Sequence, residues 1–497
     1  VSKIAIIGSG FSGLSAACFG AKGGHDVTVF EKNTMIGGRA RYFYEKGFMF
    51  DMGPSWYWMP DVFDTFFNEF GKSTHDYYKL VKLDPGFQIF FGNNYILPVP
   101  ANIEELYEVF ESLEKGSALK LEKFLAEGEF KYKMGMQELA YKPGLSWMEY
   151  ANYSVLSGIA KSHIFKSVRT YVRSFFKDER LVALMEFPVL FLGAMPDNIP
   201  ALYSLMNYAA LSKGTFYPMG GMYKIVSGMQ QLASSMGVKF IRDCDVNKIN
   251  VANNHASGLL TSKGKFDSDA TIASADYHHV EQKLLEEPYR NYEEGYWNER
   301  TFAPSCLIFY VGVNKKIEKL IHHNLFFDTN FETHSKEIYE HPDWPSNPLF
   351  YVCCPSKTDP GVAPEGMENL FILVPVATGL ADTPEIRDRY FDVLINRMER
   401  ECGEMFSENI IFKKSYCIND FVQDYNAYKG NAYGLANTLK QTAVFKPSVK
   451  NRKIDNLFYA GQLTVPGPGV PPAIISGQIA ASMVTKYFKA VSHEATI

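Results

Sequence analysis

A chain of 497 residues is too long for one small core and predicts two or three domains at about 150 residues each. Its 46% hydrophobic and 21% charged content describes a folded globular protein, and a net charge of -5 gives no reason to expect nucleic acid, whose binders usually carry a basic stripe. Aromatic residues stand out, with 38 Phe, 30 Tyr and 5 Trp, a richness that suits a large apolar cavity or an interfacial surface.

The branched run Ile4 to Ile7 has the composition of a strand buried on both faces of a parallel sheet. Gly8, Gly10 and Gly13 follow at G-x-G-x-x-G spacing. The first permits a tight turn, the second lets a pyrophosphate reach bare backbone, and the third lets the next helix lie close to its strand. Small residues, among them Ser12, Ser15 and Ala16, suit that helix, whose free N–H groups would face phosphates. A second strand over 26–30 ends at Glu31, placed to accept from ribose hydroxyls. Strand, triplet, helix, strand and acid in this order predict a dinucleotide-binding βαβ unit.

Gly37, Gly38 and Arg39 come next, a turn that brings backbone and guanidinium against a diphosphate or flavin edge. Asp51, Gly53 and Pro54 form a further turn expected to thread beside the cofactor. This start resembles that of the FAD-dependent amine oxidase and carotenoid desaturase superfamily. The resemblance implies that the glycine loop, the acid and the Gly-Gly-Arg turn hold extended FAD.

Residues 61–75 read as a helix and 86–98 as a hairpin turning at Gly92, Asn93 and Asn94. From 102 to about 139 the apolar spacing is helical. Within 145–215, Pro188, Pro196 and Pro200 break the aromatic stretch too often for a membrane span. Lys161, Lys166, Arg169 and Arg173 alternate with aromatics there, as in a helix lying on anionic lipid or in an ordinary amphipathic core helix.

From Tyr217 the pattern returns to the first domain: Gly220 and Gly221 precede a helix through Leu232, with strands at 238–241, 244–249 and 269–275. His278 and His279 lack metal-ligand spacing. Strands at 303–313, 348–354 and 369–376 join the hairpin in an antiparallel sheet that floors a substrate cavity, a helix spans 384–402, and the Tyr- and Gly-rich segment 421–434 borders the pocket. Finally a strand over 457–460 ends at Gly461, and a closely packed helix over 473–487 follows a loop stiffened by Pro466, Pro468, Pro471 and Pro472. Its N-terminus would point a positive dipole at the flavin pyrimidine.

This last segment resembles the signature of bacterial-type carotenoid desaturases, the phytoene desaturases and 3,4-desaturases, although Gln462, Leu463 and Val465 depart from it. The resemblance implies an α/β protein, a Rossmann-like FAD-binding domain with a discontinuous α+β substrate domain of antiparallel sheet and helices. The expected FAD-binding parts are 1–85, 216–295 and 447–497, and the expected substrate parts are 86–215 and 296–446. The implied cofactor set is Gly8, Ser9, Gly10, Ser12, Gly13, Glu31, Lys32, Gly38, Arg39, Gly53, Pro54, Ser55, Val246, Gly461, Gln462, Gly469, Val470, Pro471 and Ala473.

The implied activity is dehydrogenation of a C40 carotenoid, phytoene-type or at the 3,4 bond of a γ-carotene or 1-hydroxylated end. Hydride would pass to flavin N5, with quinone or oxygen as acceptor. No residue recommends itself as the proton acceptor and no metal is expected. The alternatives are a flavin amine oxidase and a noncatalytic lipid-binding escort on the same fold. Seven cysteines without a C-x-x-C pair indicate neither disulfides nor a zinc site. With a strand starting at residue 3 and no apolar run of membrane-spanning length, the expected location is cytoplasmic, peripherally associated with the cytoplasmic membrane.

Overall fold

Five parallel strands form the sheet that begins with the first residues. In spatial order they are Leu457–Tyr459, Ala270–Ala273, Lys3–Ile7, Asp26–Phe30 and Lys239–Ile241, with every neighbour running in the same direction. The computed structural model describes residues 1–150, 163–190 and 193–494. Ile4 to Ile7 are at most 4% exposed, as a central strand covered on both faces requires.

Two glycines set how tightly this sheet is covered. A Cβ on Gly13 would lie 2.1 Å from the Gly8 carbonyl oxygen, so the helix Phe11–Lys22 packs on its strand only without one. The closing helix Val470–Glu494 docks on the first by the same device, because a Cβ on Gly477 would lie 2.1 Å from the Ser12 carbonyl oxygen. Ser15 Oγ donates to the Ile474 carbonyl at 2.6 Å across that contact. The two ends of the sequence therefore meet directly.

A second, seven-stranded sheet runs Ile410–Tyr416, Ser305–Val313, Glu368–Val376, Phe350–Cys353, His323–Phe326, Phe87–Phe90 and Ile96–Val99. It is not wholly antiparallel: His323–Phe326 pairs in parallel with Phe87–Phe90, since the hairpin joins the sheet across more than two hundred residues of chain. Alternation then sorts side chains by face. Leu307, Phe309 and Val311 pack with Leu394 and Met398 of the helix Pro384–Cys402, whereas Cys306, Ile308 and Leu373 face the helical region.

That region departs from expectation in two places. The continuous helix expected over 102–139 is broken: Asn102 caps Ile103–Leu113 through the Glu104 N–H at 2.8 Å, and Gly116, at φ +81°, restarts the chain as Ser117–Tyr132 before a wider turn over Lys133–Leu139. Pro188, expected as a break, lies inside Glu179–Leu190, whose end two residues later leaves little helix to disrupt.

Of the two readings of the basic stretch, its described helix follows the amphipathic core one. In Val168–Phe175, Val168, Tyr171 and Val172 are buried in the core, Arg169 pairs with Asp197 at 2.8 Å and Arg173 with Glu179 at 2.7 Å, so protein covers the apolar face and acids hold the cations. Lys161 lies outside the described residues. Elsewhere the helix expected over 61–75 ends at Asn68, and the strand near Val246 opens an unanticipated three-stranded antiparallel meander. No helix among the described residues is long and apolar enough to cross a membrane.

Candidate active site where the two chain ends meet

A cavity of about 960 Å³ lies between the sheets, and every residue of the expected cofactor set except Gly13 lines it. Gly13 serves the helix–strand contact instead. Gly8 adopts φ +97°, and the place of a Cβ on Gly10 has no atom within 4 Å, so the loop offers open backbone to the cavity. The Gly-Gly-Arg turn closes over it: a Cβ on Gly38 would lie 3.2 Å from Gly10 Cα, and Gly38 itself is at φ +55°. Glu31, 5% exposed, accepts from the Ser9 N–H at 3.0 Å and the Asn33 N–H at 2.9 Å, which fixes its carboxylate at the end of the second strand.

Arg39 is held in the cavity wall. Its Nη2 donates to the Asn431 carbonyl at 3.1 Å, its guanidinium lies 4.9 Å from the Tyr425 ring centre, and its buried Nε has no protein partner. Burial pushes its pKa down, while Tyr425 and Asp276 act in the opposite direction. A Cβ on Gly53 would lie 2.4 Å from the Arg39 carbonyl oxygen, so the 53–55 turn backs this segment closely.

At the other end Gly461, Gly467 and Gly469 adopt φ values of +120°, +136° and +114°, and Gly469 to Ala473 present the first turn of the closing helix to the cavity. Gln462 lines the cavity but gives its amide N–H to Asn431 Oδ1 at 2.8 Å. Beside this loop Asn437 Oδ1 and Lys446 Nζ are buried without protein partners, and burial lowers the lysine to about 7.

Sequence reading missed several of these groups. Asp51 does not thread beside the cofactor: it ends the strand Phe48–Asp51 and caps the helix Tyr223–Ser235, accepting from Met222 N–H at 2.8 Å and Tyr223 N–H at 3.2 Å. Burial pushes it up to about 7 against those bonds. Ser55, Tyr351 and His323 form a chain at the cavity floor. Tyr351 donates to Ser55 Oγ at 3.0 Å and contacts His323 Nδ1 at 2.6 Å, and Trp56 stacks on the imidazole at 4.1 Å. Only the sheet register, with His323 opposite Cys353 two residues beyond Tyr351, brings these together.

Away from the glycine loops the cavity is apolar. Met136 and Leu205 from the helical region face Ile308 and Leu373 from the sheet, and Trp147 and Phe445 meet edge to face at 5.2 Å. The glycine cradle, the buried acid and the unpartnered Arg39 Nε fit a dinucleotide diphosphate, and the unpartnered Asn437 Oδ1 in the cavity wall fits a hydrogen-bond donor of a flavin ring.

The comparisons agree with this geometry. The model of the family described as flavin containing amine oxidoreductase matches residues 11–485. A carotenoid 3,4-desaturase from Haloarcula japonica is 37% identical over 479 residues, covering 96% of each chain. A zeta-carotene-forming phytoene desaturase from Myxococcus xanthus is 30% identical, covering 96% of this chain and 92% of its own. Among solved structures, putrescine oxidase bound to putrescine superposes with a TM-score of 0.64 at 12% identity over 97% of this chain and 98% of its own, a likeness of fold. FAD is the cofactor. The chain belongs to the flavin containing amine oxidoreductase family, within its carotenoid desaturases.

Proposed function

We propose that the protein dehydrogenates a C–C single bond of a C40 carotenoid, and that the bond is the 3,4 bond of an end group. The observation that carries this reading is the continuity of the cavity, which runs from the phosphate-binding glycines into an apolar space walled by Met, Leu and aromatic side chains. The choice of bond follows the greater identity to the Haloarcula 3,4-desaturase than to the Myxococcus phytoene desaturase.

Bound FAD supplies a two-electron acceptor for hydride removal next to a polyene. The protein's part is to hold and to exclude. Gly8 to Gly10 and Gly38 would admit the diphosphate, Glu31 would take the ribose hydroxyls, and Arg39 Nε would meet a phosphate or ring oxygen. Half-buried Trp56 with buried Tyr351 and Leu373 forms a floor against which an extended hydrocarbon lies, and these apolar side chains keep water from the reacting carbons. Such a substrate resides in a bilayer, and the cavity rim suits one. Trp147, Phe165, Leu439 and Phe445 line the cavity yet are 63%, 86%, 39% and 50% exposed. This rim docks on the cytoplasmic membrane from the cytoplasmic side, so that substrate enters without crossing water; quinone or oxygen would be the electron acceptor.

The test is FAD-reconstituted protein in liposomes carrying linear or half-cyclised C40 carotenoids, with quinone or oxygen supplied. A product two hydrogens lighter, with absorption shifted to the red, is expected. Unchanged phytoene, lycopene and 1-hydroxylated carotenoids, with peroxide released from amines instead, would overturn the reading.

A further inference from the structure

Beneath Trp56, on the cavity-facing side of the seven-stranded sheet, three ligating side chains converge. His323 and Cys353 stand opposite each other on paired strands, and His322 brings its ring to 4.5 Å from that of His323. The three are 3%, 0% and 2% exposed for His322, His323 and Cys353. Each offers one ligand atom, and these atoms lie within 4.8 Å of one another. Some point is then no more than about 2.8 Å from all three, so inward shifts of well under 1 Å reach metal–ligand distances.

The hydrogen bonds show which ring nitrogens already have partners. Tyr351 spends its hydroxyl proton on Ser55 Oγ, so the contact at 2.6 Å requires His323 Nδ1–H to donate to the Tyr351 oxygen. His323 Nε2 is left as a bare lone pair, buried and without a partner. His322 Nδ1 contacts Thr358 Oγ1 at 2.8 Å, a pair in which either group can donate, and its buried Nε2 is unpartnered. An imidazole steadied through one nitrogen by a hydroxyl, with the other nitrogen free, is the arrangement that outer-shell groups impose on metal-bound histidines. The spacing of histidines and cysteines along the chain hid the set, because Cys353 joins it only through the strand register.

We propose that His322, His323 and Cys353 form a three-coordinate site for a soft monovalent d10 ion, Cu+. Two neutral imidazoles and one thiolate make a donor set that suits copper(I) or zinc. Charge decides between them. Cu+ with one thiolate is neutral overall, whereas Zn2+ would leave a net positive charge in a place shut off from water and would call for a fourth ligand. Binding releases the Cys353 thiol proton to solvent and changes no oxidation state. The ion ties the strand His323–Phe326 to Phe350–Cys353 below the Trp56 ring, and so braces the Tyr351 and Ser55 hydroxyls that line the cavity.

The FAD-loaded protein is to be titrated anaerobically with Cu+ against a coloured Cu+ chelator. One equivalent should be retained, and Cys353→Ser and His322→Gln should each weaken retention by about 100-fold or more with FAD absorbance unchanged. X-ray absorption of the unaltered, copper-loaded protein should show one sulfur and two imidazoles around the ion, a measurement that needs no variant to fold. Loss of all copper to the chelator, a copper shell without sulfur, or one tightly held Zn2+ with no Cu+ would each overturn the proposal. None of these outcomes bears on desaturation.

Discussion

Arg39 shows how much of this site depends on single side chains. Its guanidinium is buried with one hydrogen bond to Asn431 and an unpartnered Nε, so a cofactor oxygen supplies what the protein does not. Arg39→Ala is expected to weaken FAD binding by about 10- to 100-fold, about 1.4 to 2.7 kcal/mol, and Arg39→Lys to restore little, because a single ammonium cannot reproduce the planar fork. Quenching of flavin fluorescence on titrating apoprotein measures both.

Asp51 carries a pH signature. Its folded-state pKa of about 7 lies above the ordinary 3.8, so the folded protein holds a proton the unfolded chain has lost, and stability from this group declines as pH rises from about 4 to 7. Asp51→Asn should remove that slope, so the unaltered protein's advantage over the variant shrinks by at most about 4 kcal/mol across the interval, read from urea unfolding at successive pH values. The two roles were not legible in sequence to the same degree. Gly8, Gly10, Glu31 and Arg39 declare themselves because their spacing is local, whereas Asp51 meets its partners 171 residues away and Tyr351 meets Ser55 across 296.

At the level of helices and strands, tight backbone contact does what side-chain chemistry does elsewhere. Gly477 sits where a Cβ would strike the Ser12 carbonyl, a backbone atom that cannot rotate aside. Gly477→Ala should therefore destabilise by about 1 to 3 kcal/mol and loosen FAD binding, since the first helix also carries the phosphate loop. Gly295→Ala, in the helix Glu294–Asn298 with no atom within 4 Å of the added methyl, is the control and should be neutral or slightly stabilising in the same thermal melt. Helices with clear caps were readable to the residue, as Pro384–Cys402 shows. The break at Gly116 was not, because apolar spacing continues through it while the backbone does not. The parallel pairing of His323–Phe326 with Phe87–Phe90 was equally hidden, since alternation within a strand says nothing about its partner's direction.

Across the whole molecule, the return of the chain to its starting sheet, the sheet that floors the cavity and the bordering segment 421–434 were legible, whereas the helical wall was legible only as an excess of aromatics. Position made the difference. Trp147 and Phe445 lie almost three hundred residues apart in sequence and touch at the rim. Because that rim is apolar and open, Trp147→Glu with Phe165→Glu should cut sedimentation with anionic lipid vesicles several-fold while leaving FAD content intact, a separation that a folding defect would not produce.

The parallel sheet has a temporal consequence as well. Its edge strand Leu457–Tyr459 pairs with Ala270–Ala273, and the helix behind it seals against the first one. During translation the ribosome delivers that strand and helix after every other segment that walls the cavity, so a nascent chain passes through a long interval with its greasy lining built and its closing piece still unmade. The cavity can therefore close around a flavin only after that last strand and helix have joined the sheet.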